Sequence, residues 1–92
     1  MIATIRHKGL RLYFEEGNGA KLPHSQLKKI ANILTALDAV FTEDDIKALG
    51  YGIHKLTGNL KDFWLITVSG NYRIIFRFEA GEIFDVDYLD YH

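Results

Sequence analysis

Three side chains able to exchange or share a proton close the chain: Asp90, Tyr91 and His92. They follow Ile83 to Leu89, an apolar run that reads as a strand, so a sheet would hold groups that a chain end otherwise leaves to fray. A carboxylate, a phenol and an imidazole held near a cation are the requirements of metal-free acid–base chemistry. The cation is at hand in Arg73, and a second imidazole in His54 opens another β-rich run. His7 and His24 instead lie in helix-entry segments and read as surface residues.

Other chemistries fit less well. There is no cysteine, no histidine pair at i, i+4 and no His-x-His, so neither a thiolate zinc site nor a helical one is expected and no cofactor is implied. Ser69 stands in Ser69-Gly70-Asn71, which is turn chemistry and not a nucleophile elbow. The eight glycines punctuate turns and form no phosphate loop.

The elements that must position these groups follow from periodicity. Ile2 to Ile5 is a short β-prone start. Leu10, Tyr13 and Phe14 follow helical spacing up to Gly17-Asn18-Gly19, a strong stop. After Pro23, the stripe Leu27, Ile30, Leu34, Leu37 and Phe41, widened by Ile33 and Val40, predicts an amphipathic helix of about four to five turns. Thr42 caps a further short turn through Ile46 and Leu49, ended by Gly50 and Gly52.

The second half then changes to period two. Ile53–Leu56, Phe63–Val68, Tyr72–Phe78 and Ile83–Leu89 are β-rich runs joined by Gly-containing turns, which predicts an antiparallel meander. In the third run Tyr72, Ile74, Phe76 and Phe78 share one face, while Arg73, Ile75, Arg77 and Glu79 share the other, which stays open. In the fourth run Phe84, Val86 and Tyr88 share a face that Asp90 and His92 continue, while Tyr91 falls with Asp85 and Asp87. The expected fold is α+β: two main N-terminal helices packed on one face of a twisted, mainly antiparallel sheet, in a single domain over residues 1–92.

Bulk properties narrow the partners. A hydrophobic content of 48% supports one packed core, and no run approaches a membrane span or a secretory signal, so a cytoplasmic protein without membrane contact is expected. The net charge of −1 argues against autonomous, non-specific nucleic-acid binding. Its distribution is uneven: residues 1–30 hold six Lys/Arg and two Asp/Glu, residues 31–92 five and ten. The N-terminal part is thus suited to face a polyanion.

The remaining inventory suits RNA cleavage. That reaction needs a base for the 2′-OH, a cation for the phosphorane and an acid for the 5′-oxygen. Asp90, His54 or His92 can move protons, Arg73 can fork onto phosphate, and Tyr91, Tyr72 or Trp64 can stack a base. A small hydrolase of another substrate class has only the generic acid–base set behind it.

Several blocks make the reading more specific: His7-Lys8-Gly9-Leu10, Ala36-Leu37-Asp38, Gly52-Ile53-His54-Lys55-Leu56, Trp64 through Ile74, and Val86 through His92. In order, spacing and position the chain resembles, nearly end to end, HigB-type toxins (the proteic killer family) of the RelE-like superfamily. The resemblance implies a RelE-like fold and an endoribonuclease that cleaves messenger RNA in the A site of the small ribosomal subunit. It implies a HigA-like helix-turn-helix antitoxin, through which alone the protein would reach operator DNA. By matching positions it makes His54, Arg73, Asp90, Tyr91 and His92 the active-site candidates. Lys55, Lys61 and Arg77 are the further cations from which RNA or phosphate contacts are expected. One departure stands out: many relatives carry a lysine directly before the glycine where this chain has Thr57. A catalytically silent module that only pairs with an antitoxin and co-represses is the alternative from another class, and retention of His54, Arg73, Asp90 and His92 speaks against it.

Overall fold

The computed structural model describes residues 1–90. Helix α1 spans Lys8–Glu16, α2 Leu27–Asp38 and α3 Glu43–Lys47; strands follow at His54–Lys55 (β1), Phe63–Ser69 (β2), Tyr72–Glu79 (β3) and Glu82–Asp90 (β4). The four strands form one sheet in the order β1-β2-β3-β4, every pair antiparallel. The expected α+β arrangement is therefore observed.

Local chemistry sets the helix ends. His7 caps α1 through its Nδ1, which accepts from the Leu10 N–H, and Gly17 at φ 71° ends it by donating to Leu12 and Tyr13 carbonyls. Helix α2 leaves a single 3-10 turn at His24–Gln26 and stops at Asp38, about three turns long. The predicted stripe overran it: Phe41 is 71% exposed. The cause is α3, whose Thr42–Asp45 capping box takes the backbone N–H groups of Phe41 and Thr42 onto the Asp45 carboxylate, turning the chain before Phe41 can continue the helix.

The helices bury Leu10, Ile30, Ile33, Leu34, Leu37 and Ile46 against Trp64, Ile66, Val68, Ile74, Phe76, Ile83 and Val86. Ile74 and Phe76 face the helices as the alternation requires. The opposite face carries no helix, yet Leu65 and Ile75 upon it are only 5% and 3% exposed. That face is free of helices without being bare.

Strand β4 departs from simple alternation. Its register to β3 shifts between Ile75 and Arg77, and Asp85 adopts φ 54°. This bulge makes Ile83 and Val86, three residues apart, both face the core, and it turns Phe84 to the open side, where the Arg77 guanidinium lies 5.4 Å from its ring centre. Phe84 therefore does not share a face with Val86 and Tyr88 as the period of two suggested. The bulge is stapled: Thr4 Oγ1 accepts from the Asp85 N–H at 2.8 Å, and the Asp85 carboxylate accepts from Arg77 Nε at 2.8 Å with Arg6 at 3.8 Å. The β-prone start makes isolated parallel bridges to this strand, Ile2 to Ile83 and Ile5 to Val86.

One polar link joins the helical layer to the end of the sheet. The Tyr88 hydroxyl donates to Oε1 of Gln26, the buried residue just before α2. Burial, with Tyr72 and Asp90 nearby, pushes the Tyr88 phenol from 10.0 up to about 12.

Two outcomes are expected. Between pH 10 and about 12 the unfolded chain releases the Tyr88 proton while the folded chain keeps it, so stability falls with rising pH across that window. Denaturation midpoints measured across this range should lose that part of the decline in Tyr88→Phe. At the bulge, Asp85→Val should lower stability by about 1–2 kcal/mol more than Asp85→Gly, the cost of a left-handed backbone for a residue bearing a Cβ. Equal melting temperatures for the two variants would contradict this.

Candidate functional site

The candidate residues collect at the end of the sheet where β1 and β3 begin and β4 ends. His54 pairs with Leu65, Leu65 with Ile75, and Ile75 with Asp87; the next row is Thr67, Arg73 and Leu89. Residues paired across antiparallel strands share a face. His54 and Arg73 therefore stand on the same helix-free face, two strand spacings across and two residues along, roughly 12 Å apart. Asp90 pairs with Tyr72 and keeps the parity of Tyr88, so it reaches the same end of the sheet on the helix side. Tyr91 and His92 lie outside the described residues.

The two arginines of that face differ in electrostatics. Arg77 is ion-paired with Asp85 and, at 3.2 Å, with Glu79, hydrogen bonds that hold its already high pKa higher still. Its charge is spent within the protein, so the expectation of a phosphate contact there meets two competing carboxylates. Arg73 is half-buried and its Nη1 donates to the carbonyls of Gly70 and Tyr72. Among the described residues it has no carboxylate partner. The turn thus orients a guanidinium without neutralising it, which leaves an anion to do so.

His54 is exposed, and its Nδ1 lies 3.0 Å from the Gly52 carbonyl. A carbonyl only accepts, so Nδ1 is the donor in this hydrogen bond, and a neutral ring in that tautomer keeps its lone pair on Nε2, the form needed in a base. The tight Gly50-Tyr51-Gly52 segment that sets this up has positive φ throughout.

The other expected cations do not join this face. Lys55 alternates to the far side of β1, with Nζ 5.8 Å from the Trp64 ring centre, in a cleft it shares with Glu43, Asp62 and Glu79. Lys61 is exposed just past a 3-10 turn at Gly58–Leu60. Trp64 is a core residue at 7% exposure, and Tyr72 is already stacked on Tyr88 with ring centres 5.5 Å apart. Trp64 is thus closed to a base, and one face of the half-buried Tyr72 ring is already taken. Among the described residues no three His, Cys, Asp or Glu side chains gather to hold a metal ion.

Sequence reasoning passed over His7 and Gln26. His7 is half-buried, not a surface residue, and its ring meets Tyr88 edge-on at 5.5 Å. Its position just before a helix was the available signal, since a capping side chain is held in place. Nothing in the local pattern marks Gln26.

A family model described as a RelE-like toxin of the type II toxin–antitoxin system HigB matches residues 3–92. Over 92 residues the chain is 36% identical to Endoribonuclease HigB of Proteus vulgaris, covering all of both. It shares its fold with a chain of the YoeB-YefM complex from Staphylococcus aureus at a TM-score of 0.60 and 16% identity, over 100% of this chain and 98% of that one. The resemblance read from the motif blocks is thus the true relationship: the chain belongs to the HigB-like family of RelE-like toxins of type II toxin–antitoxin systems.

Proposed function

We propose that this protein halts translation by cutting messenger RNA in the ribosomal A site with acid–base chemistry carried by its own side chains. That it is an endoribonuclease follows from its full-length relationship to the relative of that name. The observation that carries the finer reading is the contrast between Arg73, oriented but unmatched among the described residues, and Arg77, matched twice on the same strand.

In the proposed reaction a base takes the 2′-OH proton and the 2′-oxygen attacks phosphorus. The bond from phosphorus to the 5′-oxygen breaks, and an acid returns a proton to that oxygen. The phosphodiester becomes a 2′,3′-cyclic phosphate and a free 5′-OH. Arg73 takes the charge that builds on the phosphorane oxygens. Asp90 or His92 carries the proton, His54 supports with its Nε2, and Tyr91 orients or stacks the base. Thr57, where many relatives have lysine, removes one cation from this set.

Ribosome dependence is favoured by charge. Neutralising phosphates is the main affinity term for RNA, and a chain of net −1 has little of it to offer free message. What basic charge it has is gathered. Lys8 opens α1 directly after His7, and Lys28 and Lys29 lie in the first turn of α2, with Lys29 Nζ 5.8 Å from the Tyr51 ring centre. A HigA-like helix-turn-helix antitoxin is the proposed partner, with operator DNA reached through it, in the cytoplasm. The solved neighbour's occurrence in a complex is consistent with such pairing.

Truncating His92 should lower cleavage about 10²–10⁴-fold, and Arg73→Ala about 10²–10³-fold with little change in melting temperature. An unchanged growth arrest removes the residue concerned from the mechanism, and a collapse in stability makes Arg73 structural. Mapping of cut sites should find ribosome-bound message cleaved far faster than the same message free in solution. Equal rates would overturn the A-site reading.

A further inference from the structure

Gln26 is the one buried polar side chain among the described residues, at 8% exposure, and its amide oxygen is used to bind the Tyr88 hydroxyl. The Tyr88 ring is gripped on two further sides. Tyr72 stacks on it at 5.5 Å and 7°, and His7 meets it edge-on at 5.5 Å and 84°. His7 is itself fixed by the Leu10 N–H, and Tyr72 is the register partner of Asp90. Four side chains thus tie the starts of α1 and α2 to the last turn of backbone before Asp90.

A polar pair of this kind adds little net stability, because replacing both partners by apolar groups of similar shape is close to neutral. What it does supply is one defined geometry, since any shift of the strand leaves the buried Gln26 amide oxygen and the half-buried Tyr88 hydroxyl without each other. A strand end without such a tie frays. We propose that Tyr88, Gln26 and His7 are positioning residues that hold the end of β4 at one height and angle on the helices, and so fix where Asp90 stands beside Tyr72 at the end of the sheet. This rests on the reading of Asp90 as a proton carrier. Tyr88 itself touches no substrate; it acts through the backbone two residues on.

The test compares cleavage of message on programmed ribosomes by the full chain and its variants. Gln26→Leu/Tyr88→Phe removes both polar partners together, so its melting temperature should stay within a few degrees of the parent. Its kcat should fall about 10–100-fold at nearly constant KM, the signature of misplaced reacting groups. Tyr88→Phe alone leaves Gln26 unsatisfied and should lose both stability and kcat. If the double variant fails to fold, His7→Asn carries the test: it keeps a helix cap, removes the ring, and should lower kcat at unchanged melting temperature. Full kcat in a folded variant, or a change confined to KM, overturns the positioning role. Asp90→Asn, measured alongside, separates the two failures. Near-wild-type cleavage there overturns the reading of Asp90 and the positioning role with it, whereas an inactive Asp90→Asn beside a fully active double variant overturns positioning alone.

Discussion

The bulge at Asp85 is the constraint on which the sheet's division of labour depends. A strand of strict period two cannot send both Ile83 and Val86 into the core, since they differ in parity. The extra residue solves this by adopting a left-handed backbone, held there by Thr4, Arg77 and Arg6. The residues up to Asp90 inherit the new parity: Tyr88 faces the helices, Leu89 faces the open side beside Arg73, and Asp90 returns to the helix side. Without the bulge, packing at one end of β4 and the placing of its polar end would be in conflict.

The two faces then serve different chemistry. One is sealed by helices around an apolar core, with Gln26 tied to Tyr88 at its edge. The other buries Leu65 and Ile75 without a helix over them and keeps its arginines in two zones. Near the β3–β4 turn, Arg77 is consumed by Asp85 and Glu79. Toward the opposite end, Arg73 is held by carbonyls and His54 by Gly52. Fixing cations and imidazoles with backbone oxygens orients them while leaving their charge or lone pair for something else.

Much of this was legible in the chain. Alternation in Tyr72–Glu79 identified the core face of β3, and Gly17, Thr42 and the Ala80-Gly81 turn marked element ends correctly. The motif blocks identified the family. The failures share a cause, which is that pattern reading sees one element at a time. Phe41 fits the α2 stripe, but the Asp45 carboxylate of the next helix draws its backbone away. Phe84 fits the β4 alternation, but the bulge is imposed by pairing across strands and by Thr4, 81 residues earlier. Arg73 and Arg77 are indistinguishable by position on β3, and only the placement of Asp85 and Glu79 tells them apart. Gln26 matters because of a tyrosine 62 residues away.

The parallel bridges from Ile2 and Ile5 to Ile83 and Val86 give the molecule a late keystone. Contacts of such long sequence separation close a large loop before they contribute stability, and they form after the local ones. Helices and the β2–β3 hairpin can take shape while β4 is still being synthesised, but the Asp85 staple and the end of β4 cannot. The end of β4 that carries Asp90 is therefore among the last parts of the described fold to form.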